Sequence, residues 1–234
     1  MNIHGQTGLD ISKQLQIESF MKIHKVDILS CQEINVVSES FSNCDFINSS
    51  FHLITNNAQN GYGTCCFVSS SFEYNNIRLD TNGRVILFDI GDLTFGNVYL
   101  PSGTDSIMKN ERENYLAETL PQMLVNAKLC GCLGGDWNCI TDAKDASKNV
   151  QSKISNSLKR LIKNQNWVDS FRLLYPNASQ YSRYYNNSLH GSGASRIDRQ
   201  YHFGNIVIME AQQVGVAFSG HFALILKVKL PSTM

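Results

Sequence analysis

Acidic and amide side chains follow several apolar, strand-like runs of this sequence, at the points where those runs end. Gln32-Glu33 closes one run, Gly135-Asp136-Trp137-Asn138 closes another, and Asn2 stands near the first residue. Carboxylate and amide oxygens gathered at strand ends suit a hard cation such as Mg²⁺, which often needs only one or two protein carboxylates. Taken singly, each position is a weak signal, because a strand-terminal Asp is more often a turn residue or a helix cap.

Further short motifs supply hydroxyl, carboxylate and imidazole groups. In chain order, the full set is Asn2-Ile3-His4-Gly5, Gln32-Glu33, Asn97-Val98-Tyr99-Leu100-Pro101, Gly135-Asp136-Trp137-Asn138, Ser195-Arg196-Ile197-Asp198 and Ser219-Gly220-His221. Hydrolysis of a phosphodiester needs such a combination, because it depends on an in-line water, a cation and fixed donors for the extra negative charge.

This ordered set resembles the endonuclease/exonuclease/phosphatase superfamily, which contains DNase I and the apurinic/apyrimidinic endonucleases, over essentially all of the chain. Within it the sequence is most similar to the endonuclease domain of non-LTR (LINE-type) retrotransposons. The blocks that favour this branch are Trp167-Val168-Asp169-Ser170-Phe171-Arg172, Tyr181-Ser182 and Ser195-Arg196-Ile197-Asp198-Arg199. The resemblance implies a single endonuclease domain over residues 1–234 of a longer protein that also has a reverse transcriptase.

The resemblance also implies a metal site and a water-activating site. Glu33 would be the ligand of Mg²⁺, for which Mn²⁺ could substitute, and Asn2 would lie beside it in the same metal site. Asp136 resembles the residue that orients or deprotonates the attacking water, and Asn138 the amide that holds this carboxylate and a phosphate oxygen. The expected reaction is nicking of one strand of target DNA, leaving a 3′-hydroxyl that primes target-primed reverse transcription.

The remaining catalytic roles that the resemblance implies concern the phosphate. Tyr99 would present its hydroxyl to the phosphate, and Asp198 would pair with the catalytic histidine, His221. A nearby carboxylate raises the pKa of a histidine, which keeps the imidazole cationic near neutral pH. His221 is therefore expected to stabilise charge that develops on the phosphate.

An aromatic and basic segment leads into a polar loop, and in the resembling endonucleases a hairpin at this place enters the DNA minor groove. Such a loop could read groove width and A·T pattern in double-stranded DNA, although a solvated hairpin of no such function is nearly as common. The residues predicted to contact DNA are Ser102, Ser182, Arg183, Tyr184, Tyr185, Asn186, Asn187, Ser195 and Arg196.

The sequence departs from the family pattern at Gly220, where an Asp is usual before the histidine. The resemblance implies that the missing carboxylate would contribute to the metal region, so metal affinity is expected to be lower. Gly220 motivates one alternative to the retrotransposon endonuclease, a DNA-binding module with weakened catalysis. A second alternative is another enzyme of the same fold, either a repair nuclease that acts at abasic sites or a phosphatase of phosphorylated small molecules.

Composition sets further limits on function. The chain has 20 Lys+Arg and 20 Asp+Glu, so its formal net charge is zero and a polybasic nucleic-acid tail is excluded. Positive potential for DNA must then be local, at Lys109, Lys159, Arg160, Lys163, Arg183, Arg196 and Arg199. No membrane partner is expected, because no apolar run approaches about 18 residues. Reduced cysteines and the lack of a visible signal peptide predict an intracellular protein that acts on DNA in the nucleus.

The elements that must position these residues alternate between helices and strands. Helical spacing predicts helices over residues 9–23, over Ser106–Ala127 with an interruption at Pro121, and around Leu158. Short apolar runs predict strands at Val26–Cys31, Tyr62–Val68, Glu73–Leu79, Val85–Ile90, Leu93–Leu100, Leu129–Gly134, Gln180–Tyr184, Ser195–Phe203, Ile206–Met209, Gln212–Val216 and Phe222–Val228. This order predicts an α/β (α+β) fold, a four-layer sandwich of two packed mixed β-sheets flanked by helices.

Overall fold

The computed structural model of the chain describes residues 1–7, 10–37, 40–147, 154–187 and 191–230. Within these ranges the helices are α1 (Ile11–His24), α2 (Asp45–Ser50), α3 (Ser106–Asn114), α4 (Leu120–Met123), α5 (Asn156–Asn164) and α6 (Ser170–Leu174), with a π-helical turn at Tyr115–Thr119 and a 3₁₀ turn at Ala143–Asp145. The strands are β1 (Asn2–Thr7), β2 (Ile28–Asn35), β3 (Phe51–Asn56), β4 (Thr64–Ser69), β5 (Asn75–Leu79), β6 (Val85–Ile90), β7 (Leu93–Tyr99), β8 (Cys130–Asp136), β9 (Val168–Asp169), β10 (Arg183–Asn187), β11 (Gly191–Ser195), β12 (Asp198–Phe203), β13 (Val207–Val214) and β14 (Ala223–Lys229).

Two larger sheets form the centre of the fold. One has the strand order β1-β2-β4-β3, and the other has the order β5-β6-β7-β8-β12-β9. Both are mixed, because β1 is parallel to β2 and β7 is parallel to β8, whereas the other neighbouring strands are antiparallel. The pairs β10-β11 and β13-β14 form two smaller sheets.

The two large sheets pack face to face through alternating side chains. Val68 of β4 packs with Ile86 and Phe88 of β6 in one buried cluster. Its neighbour Phe67 belongs to a different cluster, which it shares with Ile17 of α1. Successive side chains of a strand face opposite sides of a sheet, so each strand serves an inner and an outer packing surface.

Helices cover the outer faces of both sheets. Helix α1 contributes Met21 to the cluster on the four-stranded sheet. Leu116 of the π-helical turn, Leu120 of α4 and Leu158 of α5 pack on the outer face of the six-stranded sheet. The layers are therefore helices, sheet, sheet and helices, and the predicted four-layer α/β sandwich is confirmed.

Asn97 of β7 is a buried polar link between the two sheets. Its Nδ2 donates to the backbone oxygens of Cys31 (2.8 Å) and Cys65 (3.0 Å), which lie in β2 and β4. Its Oδ1 accepts from Nε2 of Gln32 at 2.6 Å. Buried polar groups are costly unless they are hydrogen-bonded, so this set of contacts holds the sheets in one relative position.

Some predicted elements agree closely with the structure. The long helix predicted over Ser106–Ala127 is interrupted before Pro121 and not at it. The strand Val85–Ile90 is confirmed as β6. The helix predicted over Ser106–Ala127 is widened into a π-helical turn at Tyr115–Thr119, just before Pro121. A proline lacks the N–H of the helical ladder and its ring clashes with the carbonyl four residues earlier, so the wider turn relieves that clash.

Other predicted elements are divided or merged. The stretch Ser195–Phe203 is not one strand, because Ser195 ends β11 and β12 begins at Asp198. The strands predicted at Ile206–Met209 and Gln212–Val216 are one strand, β13, with an irregular register between Ile208 and Glu210. The strands β1 and β3 have no counterpart among the predicted elements.

All seven cysteines are free thiols, as expected for reduced cysteines. Most are buried, and Cys130 and Cys132 are partly exposed. Over the described ranges, no helix combines the length and apolar character needed to cross a membrane.

Replacing Asn97 by Ala is expected to destabilise the protein by about 2–4 kcal/mol, because two buried carbonyl groups and the Gln32 amide would each lose one hydrogen bond. Urea unfolding followed by circular dichroism measures this change. The exposed helical Asn110→Ala is the matched control and should change the free energy of unfolding by about 0.5 kcal/mol or less. Equal stability of the two variants would contradict the assigned role of Asn97.

Candidate active site

Neighbouring strands of the six-stranded sheet bring three predicted site residues into one row. Tyr99, the last residue of β7, lies opposite Asp136, the last residue of β8, in a parallel pair. Asp136 in turn lies opposite Asp198, the first residue of β12, in an antiparallel pair. Directly paired residues have Cβ atoms only about 5 Å apart, so these side chains occupy one end of the sheet.

The carboxylate of Asp136 lies where the two large sheets meet. It is fully buried, and its Oδ2 accepts from Nδ2 of Asn2 in β1 at 3.0 Å. Its Oδ1 accepts from the backbone N–H of Asn138 at 3.0 Å. The Asn138 side chain donates to the backbone oxygen of Leu100 at 2.9 Å, which ties the segment after β8 to the segment after β7. The site therefore draws on both sheets.

Ser182, Asp198 and His221 form a buried chain of hydrogen bonds. Nδ1 of His221 lies 2.9 Å from Oδ2 of Asp198 and 3.1 Å from its Oδ1. Ser182 Oγ donates to Oδ2 of Asp198 at 2.7 Å and accepts from the Asp198 backbone N–H at 2.9 Å. Because Nδ1 faces the carboxylate, the second ring nitrogen, Nε2, is the one that a substrate can use. Ser182 thus orients Asp198, and Asp198 orients the histidine.

Burial and neighbouring charges shift the protonation of these groups. Burial and the carboxylate of Asp198 raise the pKa of Asp136 to about 6, against the opposing effect of His221. Burial alone would lower the pKa of His221, but the carboxylates of Asp198 and Asp136 outweigh it and raise the pKa above its ordinary value. At neutral pH the arrangement thus favours an ionised Asp136 beside an imidazolium.

Glu33 and Tyr99 meet across the gap between the sheets. The Tyr99 hydroxyl donates to Oε1 of Glu33 at 3.4 Å. Burial raises the pKa of Tyr99, with Glu33 and Asp136 adding to the effect, so the phenol is a neutral hydrogen-bond donor. Glu33 has φ 58°, a left-handed conformation that costs an L-residue about 1–2 kcal/mol. The strained backbone turns β2 at the residue whose carboxylate reaches Tyr99.

Among the described residues, one group of side chains has ligand atoms close enough to hold a metal ion. It consists of Asp136, Asp198 and His221, whose candidate atoms lie within 4.8 Å of one another. Asn2, a predicted metal residue, contacts this group through Asp136. Glu33, the predicted ligand, lies outside the group and contacts Tyr99. The predicted residues are thus gathered at one place, with Asp136 at the centre.

The strands β10 and β11 are attached to the segment that carries the histidine. Arg183 pairs with His221 in an isolated antiparallel bridge, and the backbone N–H of Phe222 donates to the Ser182 oxygen at 2.7 Å. Tyr184 is 56% exposed, and its ring centre lies 5.6 Å from that of Phe222. An exposed aromatic surface therefore lies directly beside the site.

The other residues predicted to contact DNA differ in exposure. Ser102 is exposed in the segment after β7, and Tyr185 is partly buried. Asn186 and Asn187 belong to β10, and their side chains lie outside the described part of the chain.

Arg196 and Arg199 do not lie on a DNA-facing rim, where their positive charge placed them in the sequence-based prediction. Both are buried, and both pair with Asp145, at 3.0 Å for Arg196 and 3.4 Å for Arg199. Arg196 also pairs with Asp169 at 2.7 Å. Removing a buried charge from its partner is strongly unfavourable, so these guanidinium groups stay with their carboxylate partners in the interior.

Ser182 and Ser195 also differ from their predicted role. Both are fully buried. Ser182 holds Asp198, and Ser195 is paired with Arg183 between β11 and β10. Neither hydroxyl is exposed to DNA.

Two residues support the site without a role predicted from the sequence. Ser219 Oγ donates to the Asn2 backbone oxygen at 2.6 Å and accepts from the His221 N–H at 2.9 Å, so it joins β1 to the histidine. The buried Arg112 donates to the backbone oxygen of Pro101 at 2.7 Å and fixes the segment after Tyr99. Ser219 could have been found from its place in the Ser-Gly-His motif, whereas Arg112 has no comparable signal.

The sequence matches no protein-family model, and it has no significant match among curated proteins. Solved structures do match. An AP endonuclease from Archaeoglobus fulgidus gives a TM-score of 0.75 at 18% identity, over 96% of this chain and 98% of that chain. The 3′ phosphatase NExo from Neisseria, bound to a product DNA hairpin, gives a TM-score of 0.74 at 15% identity, over 96% and 98%. TDP2 from D. rerio, complexed with a single strand DNA product, gives 0.70 at 14% identity, over 98% and 96%.

These identities are low, and the similarity is one of backbone architecture over nearly the whole length of both chains. The chain has the endonuclease/exonuclease/phosphatase fold. The two large sheets of this fold supply the two halves of the candidate site, with Asn2 from one sheet and Asp136 and Asp198 from the other.

Replacing Asp198 by Asn is expected to lower the pKa of His221, because the carboxylate that favours the imidazolium becomes a neutral amide of similar shape. Burial and the charge of Arg183, which both act against the imidazolium, remain in the variant. NMR titration of the histidine ring measures the pKa in both proteins. The exposed Asp92→Asn is the control and should leave the titration unchanged. An unchanged pKa in Asp198→Asn would show that the ion pair does not govern His221.

Proposed function

We propose that this chain is a Mg²⁺-dependent DNA endonuclease that hydrolyses a phosphodiester bond in one strand of double-stranded DNA and leaves a 3′-hydroxyl. We further propose that it acts within a longer retrotransposon protein, in the nucleus, where a reverse transcriptase domain extends the 3′-hydroxyl. The observation that carries the proposal is the buried group of Asp136, Asp198 and His221, completed by Asn2 from the other sheet. It lies in a fold shared with an AP endonuclease and with proteins solved together with DNA products.

The donor set fits a hard divalent cation. Glu33, Asp136 and Asn2 carry oxygen atoms of the kind that Mg²⁺ and Mn²⁺ bind. Burial, with the carboxylate of Asp198 adding to it, raises the pKa of Asp136. A divalent ion beside this carboxylate would favour its ionised form. Glu33 and Asn2 would hold the ion, with Asp136 beside them. When bound, the ion neutralises charge on the phosphate and makes a water a better nucleophile.

The residues of the chain itself divide the remaining work. Asp136, ionised above a pH of about 6, orients the attacking water and accepts its proton. Asn138 holds that carboxylate through its backbone N–H. The imidazolium of His221 and the hydroxyl of Tyr99 donate hydrogen bonds to phosphate oxygens as negative charge develops. Asp198 keeps the imidazole oriented and protonated.

The sheet of β10 and β11 is the proposed groove-reading element. The exposed ring of Tyr184, backed by Phe222, offers an apolar surface to the sugar edges of a minor groove. Arg183 supplies a positive charge at the root of the same element. A contact of this kind reads groove shape more than base identity.

Nicking of supercoiled plasmid is the direct test. With Mg²⁺ the protein should convert supercoiled to open-circular DNA, and EDTA should abolish the conversion. Asp136→Ala and the isosteric Asp136→Asn should each lower the rate by about 10²–10⁴-fold, because the water loses its proton acceptor. Extension of the nicked product by a DNA polymerase checks for the 3′-hydroxyl.

Asp92→Asn, which changes an exposed turn carboxylate, is the control and should nick at the unchanged rate. Intact and abasic duplexes are compared in the same assay, since a repair enzyme would strongly prefer the lesion. The proposed function fails if nicking is independent of Mg²⁺ or survives Asp136→Ala unchanged.

Gly220→Asp is expected to tighten binding of Mn²⁺ by about tenfold, because it adds a carboxylate beside the site. A Cβ added at Gly220 meets no atom within 4 Å, so the variant should fold without strain. Mn²⁺ binding to the DNA-free protein, measured by electron paramagnetic resonance, gives the affinity. Gly220→Asn is the uncharged control of the same shape. Equal affinities of the Asp and Asn variants would show that the added charge does not reach the ion.

A further inference from the structure

Arg84 lies beside the site and has no part in the chemistry proposed above. It follows the turn at Gly83 and directly precedes β6. The carboxylate of Asp80 accepts from the backbone N–H groups of Arg84 and Val85, each at 2.7 Å. The backbone oxygen of Arg84 accepts from the N–H of Tyr99 at 2.8 Å. The start of the Arg84 side chain is therefore fixed relative to the catalytic tyrosine.

The guanidinium of Arg84 lies over the ring of Tyr99. Its central carbon is 5.4 Å from the ring centre, a distance at which a cation is attracted to an aromatic face. The hydroxyl of the same ring reaches Glu33. The positive charge of Arg84 therefore lies next to Tyr99, whose hydroxyl would contact the phosphate. The Arg84 side chain is 23% exposed.

The ion pair of Arg84 differs from those of the buried arginines. Its partner is Glu111 of α3, at 3.8 Å, and the Glu111 side chain is 46% exposed. Arg196, in contrast, pairs with the buried Asp145. An exposed ion pair contributes little, about 1 kcal/mol or less, so a phosphate can replace Glu111 at small cost. Arg84 is held in place by Tyr99 while its charge remains available.

We propose that Arg84 binds a backbone phosphate of the DNA strand next to the scissile bond, exchanging Glu111 for that phosphate. The planar guanidinium suits two phosphate oxygens at once. The inference rests on the proposed function, since it names a residue that binds the same substrate. Glu111 acts as the internal competitor that the phosphate displaces.

Fluorescence anisotropy with a labelled duplex in EDTA tests the proposal without cleavage. Arg84→Gln should bind about tenfold more weakly at low salt. The slope of log affinity against log salt should fall in magnitude by about 0.9, the value for one lost phosphate contact. Arg84→Lys should retain the slope, because the charge remains. Glu111→Gln should bind more tightly than the unchanged protein, because the competitor has lost its charge.

Lys229→Gln is the matched control, since Lys229 is an exposed cation at the far end of β14 from His221. In the nicking assay Arg84→Gln should raise KM and leave kcat nearly unchanged, whereas a purely structural role through Tyr99 would lower kcat. Equal affinity and salt slope for Arg84→Gln and Lys229→Gln would overturn the proposal and leave the proposed endonuclease standing. Failure of the unchanged protein both to bind and to nick DNA would instead overturn the proposed function.

Discussion

The buried side chain of Asn97 is the contact on which the geometry of the site depends. It bonds to β2 and β4 of one sheet from β7 of the other, and Tyr99 lies two residues further along β7. Its partner Gln32 directly precedes Glu33. The distances across the site, from Tyr99 to Glu33 and from Asp136 to Asn2, are therefore set by how these two sheets are held. An apolar residue at position 97 would fill space but would not select one relative position of the sheets.

Electrostatic balance differs between the site and the interior beneath it. At the site, Asp136 and Asp198 face one imidazole, and the excess negative charge is available to a cation and its water. In the interior, Asp145 of the 3₁₀ turn pairs with both Arg196 and Arg199, so opposite charges offset the burial of these groups. The carboxylates of the site are therefore only partly compensated by positive charge, whereas Asp145 has positive partners on more than one side. Strand β12 carries one residue of each kind, because Asp198 faces the imidazole and the next residue, Arg199, pairs with Asp145.

The layers of the fold and the gathering of the site residues can be predicted from patterns in the sequence. The partners of buried polar groups cannot be predicted in this way. The short apolar run Val85–Ile90 predicts β6, and nearly all of its residues are buried because both faces of the strand are covered. The sequence Ser195-Arg196-Ile197-Asp198-Arg199 shows charge without showing Asp145, which lies 51 residues from Arg196. The sequence around Ser182 likewise shows only a short polar residue near tyrosines, and it does not show the hydrogen bond to Asp198. Local sequence patterns cannot predict contacts between segments that are far apart in the chain.

The attachment of β10 to the histidine has a consequence for how such a protein can change. The bridge between Arg183 and His221, and the hydrogen bond from Phe222 to Ser182, make the start of β10, the proposed groove-reading element, part of the support of the histidine. In the proposed endonuclease, target choice and turnover would then depend on the same backbone segment. A hairpin grafted from a relative at this root would alter the rate of hydrolysis along with the preferred sequence. Independent tuning of preference is confined to positions beyond the root, such as the exposed Tyr184.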